Sequence, residues 1–364
     1  MLKPTYKLPP LPPPGDLETP AILRELVSAR ANLAELKGRA ATMPNQGILI
    51  DTLALQEAKA SSEIENIVTT QDELFQAGML IEGLVSPAAK EVASYRDALK
   101  RGYHALIHNQ NLLTSNAIID MFRALKHTDE GFRVTPGTAL KKETTGETVY
   151  VPPQDPAEII EAMTALERFI NDDAACDLDP LIKMAVIHHQ FESIHPFTDG
   201  NGRIGRIINV LYLTRVNLLE IPVLYLSRYI TMNKADYYRL LQLVRDEGTW
   251  EPWIIFMLRA VATTARDTLD LVEGMRDLMA DYKQRLREHP SIRYSQDLLN
   301  NLFRHPYTRI EFLQNDLGIT RQTAAKHLEQ LAAAGFVEKH QLGRNNYYIN
   351  TPLVALLMRV SDGK

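Results

Sequence analysis

The chain has 364 residues, with 40 Lys and Arg against 45 Asp and Glu, a formal charge of −5 with histidine neutral. Apolar residues make up 45% and charged residues 23%, proportions that exclude disorder as the main state, and the length leads us to expect two or three domains. One cysteine, Cys176, excludes an internal disulfide framework and a cysteine-built zinc site; there is no apolar run of 18 residues to read as a membrane span, and the acidic balance argues against a chain devoted to coating nucleic acid.

Residues 1–15 contain LPPLPPPG, which supports neither a helix nor a central strand and reads as a stiff polyproline-like arm. The N-terminus lacks the continuous apolar core of a secretory signal, so the cytoplasm is the expected compartment. Thr19 offers an N-cap with Pro20 at the first helical position, and Leu23, Leu26, Leu33 and Leu36 predict an amphipathic helix ending near 43–47. Further helical patterning covers 51–67, 71–83, 87–109 and 115–126. The period changes over 131–153, where β-branched and aromatic residues flank Thr145-Gly146 and Pro152-Pro153 ends the run, predicting a β-hairpin. Helical patterning resumes over 156–172, 180–194, 201–217, 234–246 and 250–264; a charged helix spans 265–287, and 289–295 reads as a junction. From 296 the pattern is a helix, a Gly318 turn, a helix capped by Thr320 and closed by Gly335, and strands at Val337 and Tyr347 to Ile349. That is a winged helix-turn-helix signature. The expected fold is mainly α, with an N-terminal helical segment (1–110), a helical core with a small hairpin (111–265), a linker helix (266–295) and the winged unit (296–364).

The chemistry concentrates in His195-Pro196-Phe197-Thr198-Asp199-Gly200-Asn201-Gly202-Arg203-Ile204-Gly205-Arg206. Asp199 to Gly202 form a tight turn whose glycines let backbone approach a ligand. From Asn201 onward Ile204, Ile207, Ile208 and Leu211 recur at helical spacing, so a helix starts there and offers unpaired N–H groups to an anion. Arg203 and Arg206 add two guanidinium groups suited to phosphate oxygens. Asp199 is a hard oxygen ligand where phosphate-bound magnesium would sit, and a neutral His195 could accept a proton from a hydroxyl. Together these groups predict phosphoryl or nucleotidyl transfer. His188 and His189 point about 100° apart on a helix, which disfavours a shared zinc. Neither H-E-x-x-H nor a P-loop occurs.

These twelve residues meet every fixed position of H-P-F-x-[DE]-G-N-G-R-x-x-R, and the chain resembles the Fic family on that basis; His188-x-x-Phe191-Glu192 resembles the family's approach to its loop. The resemblance implies an all-helical enzyme that transfers AMP from ATP to a hydroxyl of a target protein. It makes His195 the general base and Asp199 the Mg²⁺ ligand. It puts Gly200, Asn201, Gly202, Arg203, Ile204, Gly205 and Arg206 on the nucleotide, and makes the 131–153 hairpin a flap that holds the target segment. Asn233, Tyr237 and Tyr238 fall where the family places groups against the base, with Asn233 and Tyr238 taken as ATP-binding; packing of the tyrosines between helices is the alternative. Ser61-Ser62-Glu63-Ile64-Glu65-Asn66 resembles the family's inhibitory [ST]-x-x-x-E-[GN] element. Ser61 and Glu65 would share a helix face, from which Glu65 pairs with Arg206 and disturbs the triphosphate. The same glutamate could instead orient water for AMP removal. Family resemblance also allows a homodimer and self-modification.

Within 320–350, Arg321, Lys326, Lys339 and Arg344 exceed Glu329 and Glu338, so this unit is locally basic, and Arg321, Gln322 and Thr323 open its second helix. DNA binding and protein docking are the two uses open to it. Three readings follow: an AMP-transferring enzyme, a DNA-binding regulator whose core senses nucleotide, and a structural interaction protein. The intact His195 favours the first, because sensing needs no base.

Overall fold

The computed structural model describes residues 4–70, 73, 86–142, 145–174, 176–342 and 345–362. The helical expectation over 71–83 lies almost wholly outside these, as do Gly343 and Arg344. Among the described residues the fold is mainly α with small antiparallel sheets only. Helix α1 (Pro20–Ala41) begins as the sequence predicts, with Thr19 Oγ1 accepting from the Ile22 amide. The same cap-then-proline signal starts α3 (Pro87–His108), α5 (Pro156–Asn171) and α6 (Pro180–Ile194), behind Ser86, Asp155 and Asp179. Between them stand α2 (Gln46–Ile64) and α4 (Ser115–Lys126).

Helix α6 is buried from Leu181 to Ile194, and α7 (Asn201–Arg215) almost as completely. These two helices pack on each other and are buried nearly all round, with polar side chains such as His188, Arg203 and Arg206 enclosed among the apolar ones, which is why neither shows a clean amphipathic stripe. They form the centre of the molecule, and the loop 195–200 joins them. Helices α8 (Leu226–Met232) and α9 (Lys234–Glu247) follow. The short α8 was not expected from the sequence.

A second difference concerns 250–287. The two expected helices are one, α10 (Glu251–Glu288), 38 residues and therefore about 57 Å long, so position 265 lies inside it. The charge pattern changes near Arg266 while the backbone does not. Its N-terminal half packs along α1 and α6, with Trp253 Nε1 donating to the Ala185 carbonyl at 2.9 Å. Its C-terminal half supports a unit built from α11 (Gln296–Arg304), β3 (Tyr307–Thr308), α12 (Ile310–Leu317), α13 (Arg321–Ala333), β4 (Glu338–Leu342) and β5 (Asn345–Ile349), in sheet order β3-β5-β4. The buried Tyr282 hydroxyl of α10 donates to the Phe336 carbonyl at 2.8 Å and ties the two together. Strand β3 and a closing helix α14 (Thr351–Asp362) add to the expected pattern, and β5 begins at Asn345, two residues before the strand expected from Tyr347. Arg304 of α11 pairs with Asp51 of α2 at 3.1 Å, linking this unit to the N-terminal helices.

The hairpin expected within 131–153 is present as β1 (Leu140–Lys141) and β2 (Thr148–Tyr150), antiparallel and irregular between Leu140 and Lys141. The proline-rich arm lies across its root. Thr5 N donates to the Val151 carbonyl at 3.1 Å, Val151 N donates to Thr5 Oγ1 at 3.0 Å, and Pro9 accepts from Gln190. No described helix is long and apolar enough to cross a membrane.

Candidate active site

Helix α6 ends at His195, which takes a left-handed conformation (φ 50°, ψ 59°) while its amide still donates to the Phe191 carbonyl at 2.9 Å. That geometry turns the chain sharply into the loop. Arg133 holds the turn from outside, its Nε donating to the His195 carbonyl at 2.9 Å and its Nη2 to that of Pro153. The His195 ring is part-buried, and its Nδ1 is enclosed without a hydrogen-bond partner. Burial, with the positive charges of Arg245 and Arg133, lowers its pKa to about 4, against an opposing pull from Glu65 and the Glu192 carbonyl. The imidazole is therefore neutral at physiological pH, the form a proton acceptor needs.

Gly200 (φ 74°) closes the loop and Asn201 begins α7. Asn201 Oδ1 accepts from Phe197 N at 2.8 Å and its Nδ2 donates to the Phe197 carbonyl at 2.9 Å. The side chain is thus occupied in shaping the loop, a role not visible in the motif as read. Asn201→Ala would orphan a buried amide and carbonyl at once, so we expect a loss of about 2 kcal/mol or more in urea unfolding and weaker nucleotide binding. A parent-like unfolding midpoint would contradict this role.

Asp199 sits at the rim. Its Oδ1 accepts from Gly200 N at 2.6 Å and its Oδ2 lies 2.7 Å from Lys126 Nζ. Burial works against its ionisation, but Lys126, Arg203 and the Gly200 amide hold the carboxyl below its usual pKa. Arg203 is buried and paired with Glu91 of α3, with Asp199 at 3.7 Å. Arg206, 1% exposed, faces α2 instead: Nε donates to Ser61 Oγ at 2.7 Å, and Nη2 to the Ser61 carbonyl at 2.9 Å and Glu65 Oε1 at 2.8 Å. Burial alone would lower its pKa; the Glu65 carboxylate more than reverses this and raises it.

Helix α2 begins five residues earlier than expected, capped by Asn45, and stops at Ile64. Glu65 is its C-cap and Asn66 follows at φ 60°, so the helix stops just before Glu65, whose side chain meets the same guanidinium as Ser61 one turn earlier. Asn66 Oδ1 accepts from Lys234 at 2.8 Å. Upstream, the buried Glu57 accepts from Ser227 N at 3.0 Å and Tyr95 Oη at 3.2 Å, fixing α2 against α8 and α3.

Of the two adjacent histidines, His188 lies 2.8 Å from Tyr237 Oη and 3.1 Å from Asn209 Nδ2, and its ring is parallel to that of Trp253. Burial, then Arg206, lowers its pKa to about 3. His189 turns the other way, against Trp250 and the Leu241 carbonyl. Tyr237 is buried between helices, whereas Tyr238 is 43% exposed and lines a cleft of about 990 Å³. The cleft runs between the hairpin and α9 and reaches Glu65 and Glu192. Asn233 is not in its wall; its Nδ2 donates to the Tyr229 carbonyl at 2.9 Å. Glu91, Lys126 and Arg133 are contacts of the site that sequence reading missed, because each is far from the motif along the chain.

The site is thus a helix-opening loop in a helical core, with a neutral imidazole at one end and two buried, carboxylate-paired guanidinium groups at the other. Comparison with known proteins agrees. Residues 112–213 match the Fic/DOC family profile, 23–104 the Fic/DOC family N-terminal profile, and 278–353 that of the "Protein adenylyltransferase SoFic-like, C-terminal domain". The chain belongs to the Fic/DOC family. It is 30% identical over 122 residues to protein adenylyltransferase Fic of Drosophila melanogaster, covering 34% of this chain and 22% of that protein. It is 26% identical over 192 residues to protein adenylyltransferase fic-1 of Caenorhabditis briggsae, covering 51% and 35%. The chain thus spans about a fifth to a third of the length of these curated relatives. A crystal structure of a Fic family protein from Desulfovibrio desulfuricans shares the fold, with TM-score 0.56 and 21% identity over 96% of this chain and 98% of that one.

Proposed function

We infer that the protein is an adenylyltransferase that moves AMP from ATP to a hydroxyl of a target protein, and that the conformation described here is self-inhibited. The observation that carries this reading is the Arg206–Glu65 pair at 2.8 Å, at the start of a helix whose preceding loop begins with a neutral histidine. In the proposed reaction the target hydroxyl oxygen forms a bond to the α-phosphorus while the bond to the bridging oxygen breaks and pyrophosphate leaves. His195 takes the hydroxyl proton, and the α7 amides with Arg203 and Arg206 balance the phosphate charge. Arg206 cannot serve fully while Glu65 occupies it, which makes Glu65 the inhibitory group.

Magnesium fits the donor set: one rim carboxylate, Asp199, with phosphate oxygens and water completing the shell, is the usual protein contribution to such an ion. Lys126 would have to release Oδ2. When bound, the ion would neutralise phosphate charge. Tyr238, on the cleft wall, would face the base, and the β1–β2 hairpin would present its backbone to the target segment. The C-terminal unit is read as a winged helix.

Incubating the pure protein with each labelled nucleotide triphosphate, followed by mass spectrometry, tests the proposal. Adenylyl mass on a Tyr, Thr or Ser hydroxyl, in the protein itself or an added target, is the expected result. No modification from ATP, even with Glu65 removed, would overturn it.

A further inference from the structure

We propose that Glu192 is a positioning residue for Arg206: a second carboxyl beside the arginine's helix whose ionisation sets it in competition with a bound triphosphate for the guanidinium. The proposal rests on the anion-site reading above. Its geometry comes from two glycines three residues apart on α7. A Cβ on Gly202 would come within 2.4 Å of Glu65 Oε1, and one on Gly205 within 2.7 Å of Glu192 Oε1. Residues i and i+3 share a helix face, so the two carboxyls lie along one side of α7 in places only glycine leaves open. Arg206 is engaged by the first of them alone.

Among the described residues no side chain or amide donates a hydrogen bond to the inward oxygen of Glu192. The residue is 7% exposed, and its Oε1 is enclosed with no hydrogen bond. Glu57, also buried, has three donors around it. A buried polar group without a partner calls for a functional explanation. Glu192 also forms part of the cleft wall, with Glu65, Lys234, Tyr238 and Arg245.

The charges around Glu192 fix the sign of its response. Arg206 from α7 and Arg245 from α9 favour its ionisation, Glu65 from α2 opposes it, and Tyr237 of α9 and the neutral His188 of its own helix complete the titratable surroundings. Burial outweighs these and raises its pKa to about 7. A negative charge in the Glu65 position keeps Glu192 protonated, and a triphosphate taking that position would do the same. Above neutrality the balance shifts: an ionised Glu192 repels the phosphates and offers Arg206 a competing partner.

The test is binding of magnesium-ATP to the full chain by calorimetry between pH 5.5 and 8.5, in a Glu65→Gly/His195→Ala background so that no transfer follows; without Glu65 the free protein's Glu192 ionises at lower pH than in the parent. Affinity should fall about tenfold over that range, one pKa unit of differential interaction corresponding to a factor of ten. Adding Glu192→Gln should leave affinity at pH 5.5 nearly unchanged and flatten the fall to less than about twofold. Repeating the measurement near pH 7 in buffers of different ionisation enthalpy reads proton uptake without altering Glu192; uptake on binding is expected. Equal pH slopes in both variants, or no uptake, would overturn the role of Glu192. An absence of binding at every pH would instead refute the anion-site reading itself.

Discussion

Glu65→Gly is expected to raise AMP incorporation by roughly tenfold to a hundredfold. The magnitude follows from what Arg206 loses. A hydrogen bond between ionised partners contributes about 1.5–3 kcal/mol, and every 1.4 kcal/mol is a factor of ten in the competition between Glu65 and a phosphate for one guanidinium. The Glu65 side chain is about one-third exposed, so part of this is screened and the lower end is the safer expectation. Ser61 stays in place in the variant and continues to accept from Arg206 Nε, which keeps the guanidinium oriented. The same change leaves a buried cation short of its counter-ion. The free variant should therefore melt below the parent while ATP stabilises it more, since ligand stabilisation grows with affinity. Labelled-ATP incorporation and melting with and without nucleotide measure both effects. A variant with parent-like transfer would remove Glu65 from the inhibitory role.

The sequence made parts of this arrangement readable and hid others for physical reasons. The loop from His195 to Arg206 is contiguous, so its turn, helix start and charges can be read in order, and the 2.0-to-3.6 change of period marks the hairpin. Pairings across the fold leave no such trace. Glu91 lies more than a hundred residues from Arg203, and nothing in the pattern of α3 sets it apart from any other exposed-looking glutamate. Asn201 reads as a ligand to phosphate because asparagine at a helix start has free donors; the chain folds back so that the Phe197 backbone takes both ends of its amide. The periodicity runs on through Glu65 to position 67, whereas the left-handed Asn66 stops the helix at Ile64, three residues sooner. Helix α10 was divided where its composition changes, although composition governs what a helix faces rather than where it stops. Glu192 stands three residues before His195 in plain view, but only the close approach of α6 to Gly205 gives its carboxyl a role.

His195→Ala should have the second large effect, lowering transfer by about 10²–10⁴-fold, the usual contribution of a positioned base. Binding should survive. His195 contributes its imidazole ahead of α7, whereas the amides and guanidinium groups proposed to hold the triphosphate belong to α7 itself, so nucleotide affinity should stay within about threefold of the parent. The backbone turn should survive as well, because its supports are the His195 amide to Phe191 and Arg133 to the His195 carbonyl, neither of which uses the imidazole. The pH profile adds a check that a structural role would not satisfy. With its pKa lowered to about 4, the imidazole keeps its proton-accepting form well below the ordinary histidine range, and Glu65→Gly also removes the carboxylate that pulls it upward, so the acid limb of transfer in that background should lie at or below about pH 4 instead of 6–7. Combining Glu65→Gly with His195→Ala separates the two roles in one protein: the first change should strengthen binding and the second should still abolish labelling. If the double variant transferred AMP as fast as Glu65→Gly alone, the proton would have to leave by another route and His195 would not be the base.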